Sequence, residues 1–195
     1  MTSFPTLETT RLVLREIVEA DAEALLAINS DIDHMRWFDV WPIADIEMAK
    51  VLVLIYAALR EQPKPGMRWA LELKAQPGLI GTCGFFDWDR QTHQCFTGYE
   101  ISRDHAGKGL MREALAAVFA WAWKHMALER IEARVHPDNA PSRALIERLG
   151  FAQEGLLRNG GFSDGKHHDM IQYVQSKAAL PRDEPGLPHR SDTQR

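Results

Sequence analysis

The sequence predicts a mixed α/β (α+β) fold, a mostly antiparallel central sheet of about seven strands flanked by about four helices. Three observations predict it. Seven segments read as strands and four as helices, in the order β-α-α-β-β-β-α-β-α-β-β. The links inside the central trio of strands are too short for crossovers, which favours an antiparallel meander. A turn with two glycines, Gly107-Lys108-Gly109, then stands between that meander and a long helical stretch.

The first strand is read over Thr10-Arg11-Leu12-Val13-Leu14-Arg15-Glu16, which alternates apolar and polar residues. Asp21 is the N-cap of a short helix over Ala22-Glu23-Ala24-Leu25-Leu26-Ala27-Ile28. A polar and aromatic link leads to a second helix, about Asp45 to Glu61, which Pro63, Pro65 and Gly66 end. Strands follow over Arg68 to Lys74, Leu79 to Trp88 and Gln94 to Ser102. Pro77-Gly78 separates the first two, and Asp89-Arg90-Gln91-Thr92 turns between the others.

The helix from about Lys108 to His125 carries Leu110, Ala114, Ala117 and Trp121 on one stripe, with Met111, Leu115, Val118 and Ala122 beside it. A stripe that wide packs on a sheet. After a strand at Arg130 to His136, Asn139-Ala140-Pro141-Ser142 opens a helix that Gly150 closes as a C′ glycine. Strands at about Ala152 to Arg158 and His168 to Gln175, joined by a Gly/Asp/Asn-rich loop, complete the domain, 1–178. Residues 179–195 carry Pro, Gly and charge with few apolar groups and read as a flexible tail.

Composition narrows the function. The 195 residues are 45% hydrophobic and 26% charged, ordinary values for a globular chain. A formal charge of −4 lacks the basic character that nucleic-acid binding requires. No apolar run reaches the ~20 residues of a membrane span, and Met1 to Pro5 lacks the parts of a signal peptide. Cys83 and Cys95 fall in strands and read as buried apolar residues, so a cytoplasmic location is expected. None of the eight histidines has His-x-x-x-His spacing, and no metal is expected.

A helix that starts on a glycine turn leaves outward-pointing N–H groups at the positive end of its dipole, an arrangement that binds phosphate. The turn is not a Walker loop, and Arg112 occupies the third-glycine position of a dinucleotide fingerprint.

With its neighbours, this turn resembles the GCN5-related N-acetyltransferase (GNAT) family, and within it the ribosomal-protein N-acetyltransferase, RimJ/RimL-like, subgroup. The resemblance is carried by Leu7-Glu8-Thr9-Thr10-Arg11-Leu12-Val13-Leu14-Arg15, the glycine turn with Met111 and Glu113-Ala114-Leu115, and Asn139-Ala140-Pro141-Ser142. Leu149-Gly150-Phe151, Glu154-Gly155, Asp164-Gly165 and His168-Asp169-Met170 add to it, so that it spans about residues 7 to 175. One position departs: where the family's turn often has Gln or Arg, three residues before the first glycine, this chain has Asp104, with Arg103 and Lys108 nearby as cations.

The resemblance implies acetyl-CoA as co-substrate, its pyrophosphate on the amides of Ala106, Gly107, Lys108, Gly109, Leu110 and Met111. It also implies that the strand end Tyr99, Glu100, Ile101, Ser102 pairs with the pantetheine arm like an added strand, that Asn139 contacts that arm, and that Ser142 lies near the departing thiolate as a general acid. Asn139 and Ser142 read equally as helix caps.

An amine must be neutral to attack a thioester, so a carboxylate, directly or through water, is needed as base. Glu100 is the first candidate and Glu154 the second; a strand-face salt bridge and a plain loop residue are their ordinary readings. Trp37, Phe38 and Trp41 are candidates for the acceptor-pocket wall, or for local packing.

The function expected is direct acetyl transfer to a primary amine, a protein N-terminus or a small molecule, by a monomer or homodimer. A catalytically silent acyl-CoA-binding domain on the same fold is the alternative.

Overall fold

The computed structural model describes residues 3–38, 42–163 and 165–179. Trp41 and the stretch from 180 onward, most of the expected tail, lie outside the described residues. Eight strands form one sheet in the order β1-β2-β3-β4-β5-β6-β8-β7. They are β1 (Leu7–Glu8), β2 (Leu12–Glu16), β3 (Met67–Leu73), β4 (Gln76–Asp89), β5 (Gln94–Ile101), β6 (Arg130–Val135), β7 (Ala152–Ser163) and β8 (Lys166–Ser176). The helices are α1 (Ala22–Asn29), the single turn α2 (Ile32–Met35), α3 (Ile46–Ala58), α4 (Leu110–His125) and α5 (Ala140–Arg148).

The two-residue β1, which pairs Leu7 with Leu14, makes the eighth strand. Two boundaries differ from expectation for a clear reason. The β3–β4 turn falls at Lys74–Ala75, and Pro77-Gly78 lies inside β4 in a bulge between the pairs Leu73–Gln76 and Glu72–Leu79. Pro lacks an N–H to give a ladder, and Gly78 has φ 121°, so a bulge accepts both. Likewise β7 runs through Asn159-Gly160-Gly161 to Ser163, with a register shift between Leu157 and Gly161 where Asn159 takes φ 52°. Asp169 holds that bulge, accepting from the Asn159 amide at 3.0 Å and from Arg158 at 2.9 Å.

The sheet separates two apolar layers. One joins β2, β3, β6 and β8 to α4 and α5, with Leu12, Trp69, Leu115, Val118, Ile131, Ile146 and Tyr173 buried together. The other packs α1 and α3 through Leu25, Ile28, Ala49 and Val53 onto Ala70 and Leu79.

Among the described residues every pairing is antiparallel except that of β5 with β6, which is parallel and short. It joins Gln94, Cys95 and Phe96 to Arg130, Ile131 and Glu132, and then stops. Among the described residues, no strand pairs with β5 on that edge from Thr97 to Ile101. With pairing ended, the two parallel strands open a splay whose unpaired end lies toward Ser102 on one side and His136 on the other.

Candidate active site

The glycine turn sits at the wide end of the splay. After Ile101 the chain makes a 3-10 turn (Arg103–His105), passes Gly107 at φ 73° and enters α4 from Gly109 at φ 75°. These left-handed conformations are the reason for glycine at both positions. Among the described residues the amides of Gly107 to Met111 donate to no backbone carbonyl, and the first bond of α4 runs from the Glu113 amide to the Gly109 carbonyl at 3.2 Å. The Ala106 amide, expected in the cradle, is instead taken up by the turn, donating to the Ser102 carbonyl at 3.1 Å. Ser102 is also committed locally: its hydroxyl lies 2.7 Å from His105 Nδ1.

The turn is braced by the opening motif, a role that the sequence did not suggest. The Thr9 hydroxyl and the Arg11 amide both donate to Glu113 Oε1, at 2.6 and 2.8 Å. The Arg11 guanidinium completes the brace with Nε 2.6 Å from Glu113 Oε2 and Nη1 3.0 Å from the Lys108 carbonyl. Burial opposes ionisation of Glu113, but these donors outweigh it and hold the carboxyl below the usual range.

Successive residues of β5 face opposite layers. Tyr99 turns toward the α4/α5 layer, where its hydroxyl lies 2.6 Å from Ser142 Oγ at the start of α5. Asn139 is the N-cap of that helix, its Oδ1 accepting from the Ser142 amide at 3.2 Å, so the capping reading holds for Asn139. Glu100 turns the other way. It is 5% exposed and takes hydrogen bonds from Arg68 of β3 on one oxygen and Thr82 of β4 on the other, while Arg68 Nε also donates to Thr82 at 2.7 Å. Tyr56 of α3 covers the group, with Arg68 5.3 Å from its ring; burial, with the Glu100 charge adding to it, pushes its phenol up to about 12. Glu100 is thus both a salt-bridged strand carboxylate and a polar group beside the splay.

Glu154 is not brought to the same place. Arg130 holds it at 2.5 and 2.8 Å, with Gln172 donating at 2.9 Å, and this pairing keeps its carboxyl below the usual range. Arg130 pairs with Gln94 at the narrow end of the splay. Glu154 itself lies on β7, two strands away from the β5–β6 gap, beyond β6 and β8.

The wide end is bridged. Arg103, just past β5, pairs with Asp31 at 2.6 Å and Asp33 at 3.7 Å. Four residues on, Trp37 meets His136, just past β6, with the rings tilted and 5.0 Å apart, and His136 meets His168 at 5.1 Å. Arg36 lies 4.4 Å over the Trp37 ring. The Phe38 amide donates to the Met35 carbonyl at 2.9 Å. The segment from Asp31 to Trp37 therefore spans the splay from the β5 side to the β6 side. Arg68, Thr82, Tyr56, His136 and His168 were not picked out from the sequence as site residues. Each lies far in the chain from the groups it meets, so only the packing of the strands and α3 brings it to the site.

A family model described as "Acetyltransferase (GNAT) domain" matches residues 11–152. The chain belongs to the GNAT acetyltransferase family. This GNAT acetyltransferase is 35% identical over 170 residues to N-acetyltransferase YoaA of Bacillus subtilis (strain 168), itself uncharacterized, covering 87% of this chain and 96% of that one. It is 36% identical over 94 residues to the [ribosomal protein uS5]-alanine N-acetyltransferase of Escherichia coli (strain K12), 48% of each chain. Its fold matches that of Mycobacterium smegmatis RimJ in complex with CoA-disulfide, with a TM-score of 0.81 and 22% identity over 91% of this chain and 89% of that one. The GNAT acetyltransferase is thus an acetyl-transferring enzyme with relatives named for ribosomal proteins. Among its described residues no helix is long and apolar enough to cross a membrane.

Proposed function

We propose that this enzyme transfers an acetyl group from acetyl-CoA to a primary amine by direct attack, with a protein N-terminal α-amine as the acceptor. The observation that carries the reading is the splay between β5 and β6, with the unpaired amides Gly107 to Met111 at its wide end. Those amides and the α4 dipole suit a pyrophosphate. The free edge of β5 from Thr97 to Ile101 suits an extended amide-bearing arm, which would pair as a strand does.

The chemistry then divides across the sheet. Acetyl-CoA supplies the activated carbonyl. Glu100 receives the acceptor amine from the α1/α3 side and draws its proton, directly or through water. Arg68 would be left buried without a counter-charge if Glu100 held that proton, so the carboxylate passes it on to solvent. A backbone N–H near Ile101 steadies the oxyanion. Ser142, on the opposite side, gives a hydrogen bond to the departing sulfur. Trp37, with His136 and His168, walls the entry of the acceptor. Glu154, on β7 two strands from the splay and held by Arg130, is given no part. The N-terminal acceptor rests on the uS5-alanine relative.

The test is release of CoA from acetyl-CoA across peptides with free N-termini, beginning with alanine and serine, and small amines, with products identified by mass. Acetylated peptide N-termini support the reading, and Glu100→Gln is expected to slow turnover. Because it leaves Arg68 buried without its counter-charge, the rate is compared at a temperature where circular dichroism shows the variant folded and CoA still binds. Tight acetyl-CoA binding without turnover on any amine would instead establish a silent acyl-CoA-binding domain.

A further inference from the structure

We propose that Tyr99 is a positioning residue for Ser142: its phenol donates to the serine oxygen and so leaves the serine's own proton for the sulfur departing from the splay. The inference rests on the reading that acetyl-CoA occupies the splay with its thioester near Ser142.

The two hydroxyls are 2.6 Å apart and belong to elements on opposite sides of the splay, β5 and α5. A hydroxyl has one proton and two lone pairs, so which oxygen donates decides what the other can still do. A phenol is the stronger donor of the two. Burial pushes Tyr99 up to about 12, so it keeps its proton at every pH at which the enzyme would work. Ser142 then accepts from a donor that never ionises, and its proton is directed to a third atom. Its main chain is fixed as well, since Asn139 holds the amide at 3.2 Å in the first turn of α5. The positive end of that helix adds to the stabilisation of a thiolate. When the carbon–sulfur bond breaks, the electron pair goes to sulfur and Ser142 donates a hydrogen bond to it. Tyr99 stays protonated, and neither residue forms a covalent bond.

The role can be read without knowing the acceptor, from the thiol of bound CoA. Thiolate absorbance is followed against pH for CoA bound to the full chain and to Tyr99→Phe, Ser142→Ala and the double variant, with CoA affinity from calorimetry. The bound thiol is expected to titrate about one pH unit higher in each variant than in the parent, and no higher in the double than in either single. CoA affinity at neutral pH stays within about twofold, a pattern that loss of packing between β5 and α5 would not give. A ring-fluorinated tyrosine placed at position 99, a stronger donor of nearly the same size, is expected to lower the thiol titration further. If Ser142→Ala shifts the thiol and neither change at Tyr99 does, the positioning role is overturned and the Ser142 reading stands. If no variant shifts it although CoA binds, both fall. If the parent chain does not bind CoA, the proposed function itself fails.

Discussion

Arg68 of β3 and Glu100 of β5 form an ion pair across the strand between them, with side-chain exposures of 11% and 4%. Thr82 of that strand, β4, completes the group, so three neighbouring strands each contribute one polar side chain to one buried cluster. Removing one member of such a pair leaves a buried charge alone. Arg68→Met is expected to destabilise the fold by about 3–5 kcal/mol in denaturant unfolding, and Arg68→Met combined with Glu100→Leu to recover most of that loss. A single substitution costing no more than the double would show that the charges are solvated.

Arg11 acts on the turn more than on the fold. Its pair with Glu113 is 46% and 19% exposed, and exposed pairs contribute about 0.2–1 kcal/mol. Arg11→Ala should therefore leave unfolding nearly unchanged. It also frees the Lys108 carbonyl and loosens the amide cradle, so the Kd for CoA is expected to rise roughly fivefold, about 1 kcal/mol, by calorimetry.

Gly109 enters α4 at φ 75°, where an added Cβ would meet only Arg11 Nη2, at 3.6 Å. Space is therefore not the constraint, and the backbone is. Gly109→Ala is expected to cost about 1–2 kcal/mol and to shrink the rise in Tm that saturating CoA produces.

Asp89 caps the β4–β5 hairpin. Lys64, at 3.0 Å, and then the amides of Gln91 and Thr92 hold its carboxyl down to about 2. A pKa lower in the folded than in the unfolded chain, about 3.9, gives stability that is present above about pH 4. That contribution is lost as pH falls through the folded value. Asp89→Asn should flatten this part of the stability curve in urea unfolding between about pH 5 and 2, and leave neutral-pH catalysis unaltered.

Much of this was legible along the chain because local chemistry fixes it. Pro63, Pro65 and Gly66 end a helical run, Asn139 caps another, and Gly107 and Gly109 announce a left-handed turn before the α4 stripe. Legibility failed where a residue's conformation depends on a partner strand. Pro77-Gly78 and Asn159-Gly160-Gly161 read as loops, since their composition favours turns. Pairing with β3 and β8 carried both segments into strands, as bulges. The site divides in the same way. The glycine turn and Ser142 were visible as motifs. Arg68, a basic residue in a strand, signals nothing until register sets it beside Glu100.

By itself, then, the sequence determined the order of elements, the amide-rich turn and the family, because each rests on residues close together in the chain. The tertiary structure decided the partners of each candidate carboxylate. Glu100 and Glu154 are alike as residues, but one lies on β5, buried against Arg68 and Thr82, and the other lies on β7, held by Arg130 and Gln172. It also decided what lies across the splay, joining Tyr99 to Ser142 and Trp37 to His136. Those contacts depend on where two parallel strands stop pairing, which is a matter of register between segments far apart in the chain.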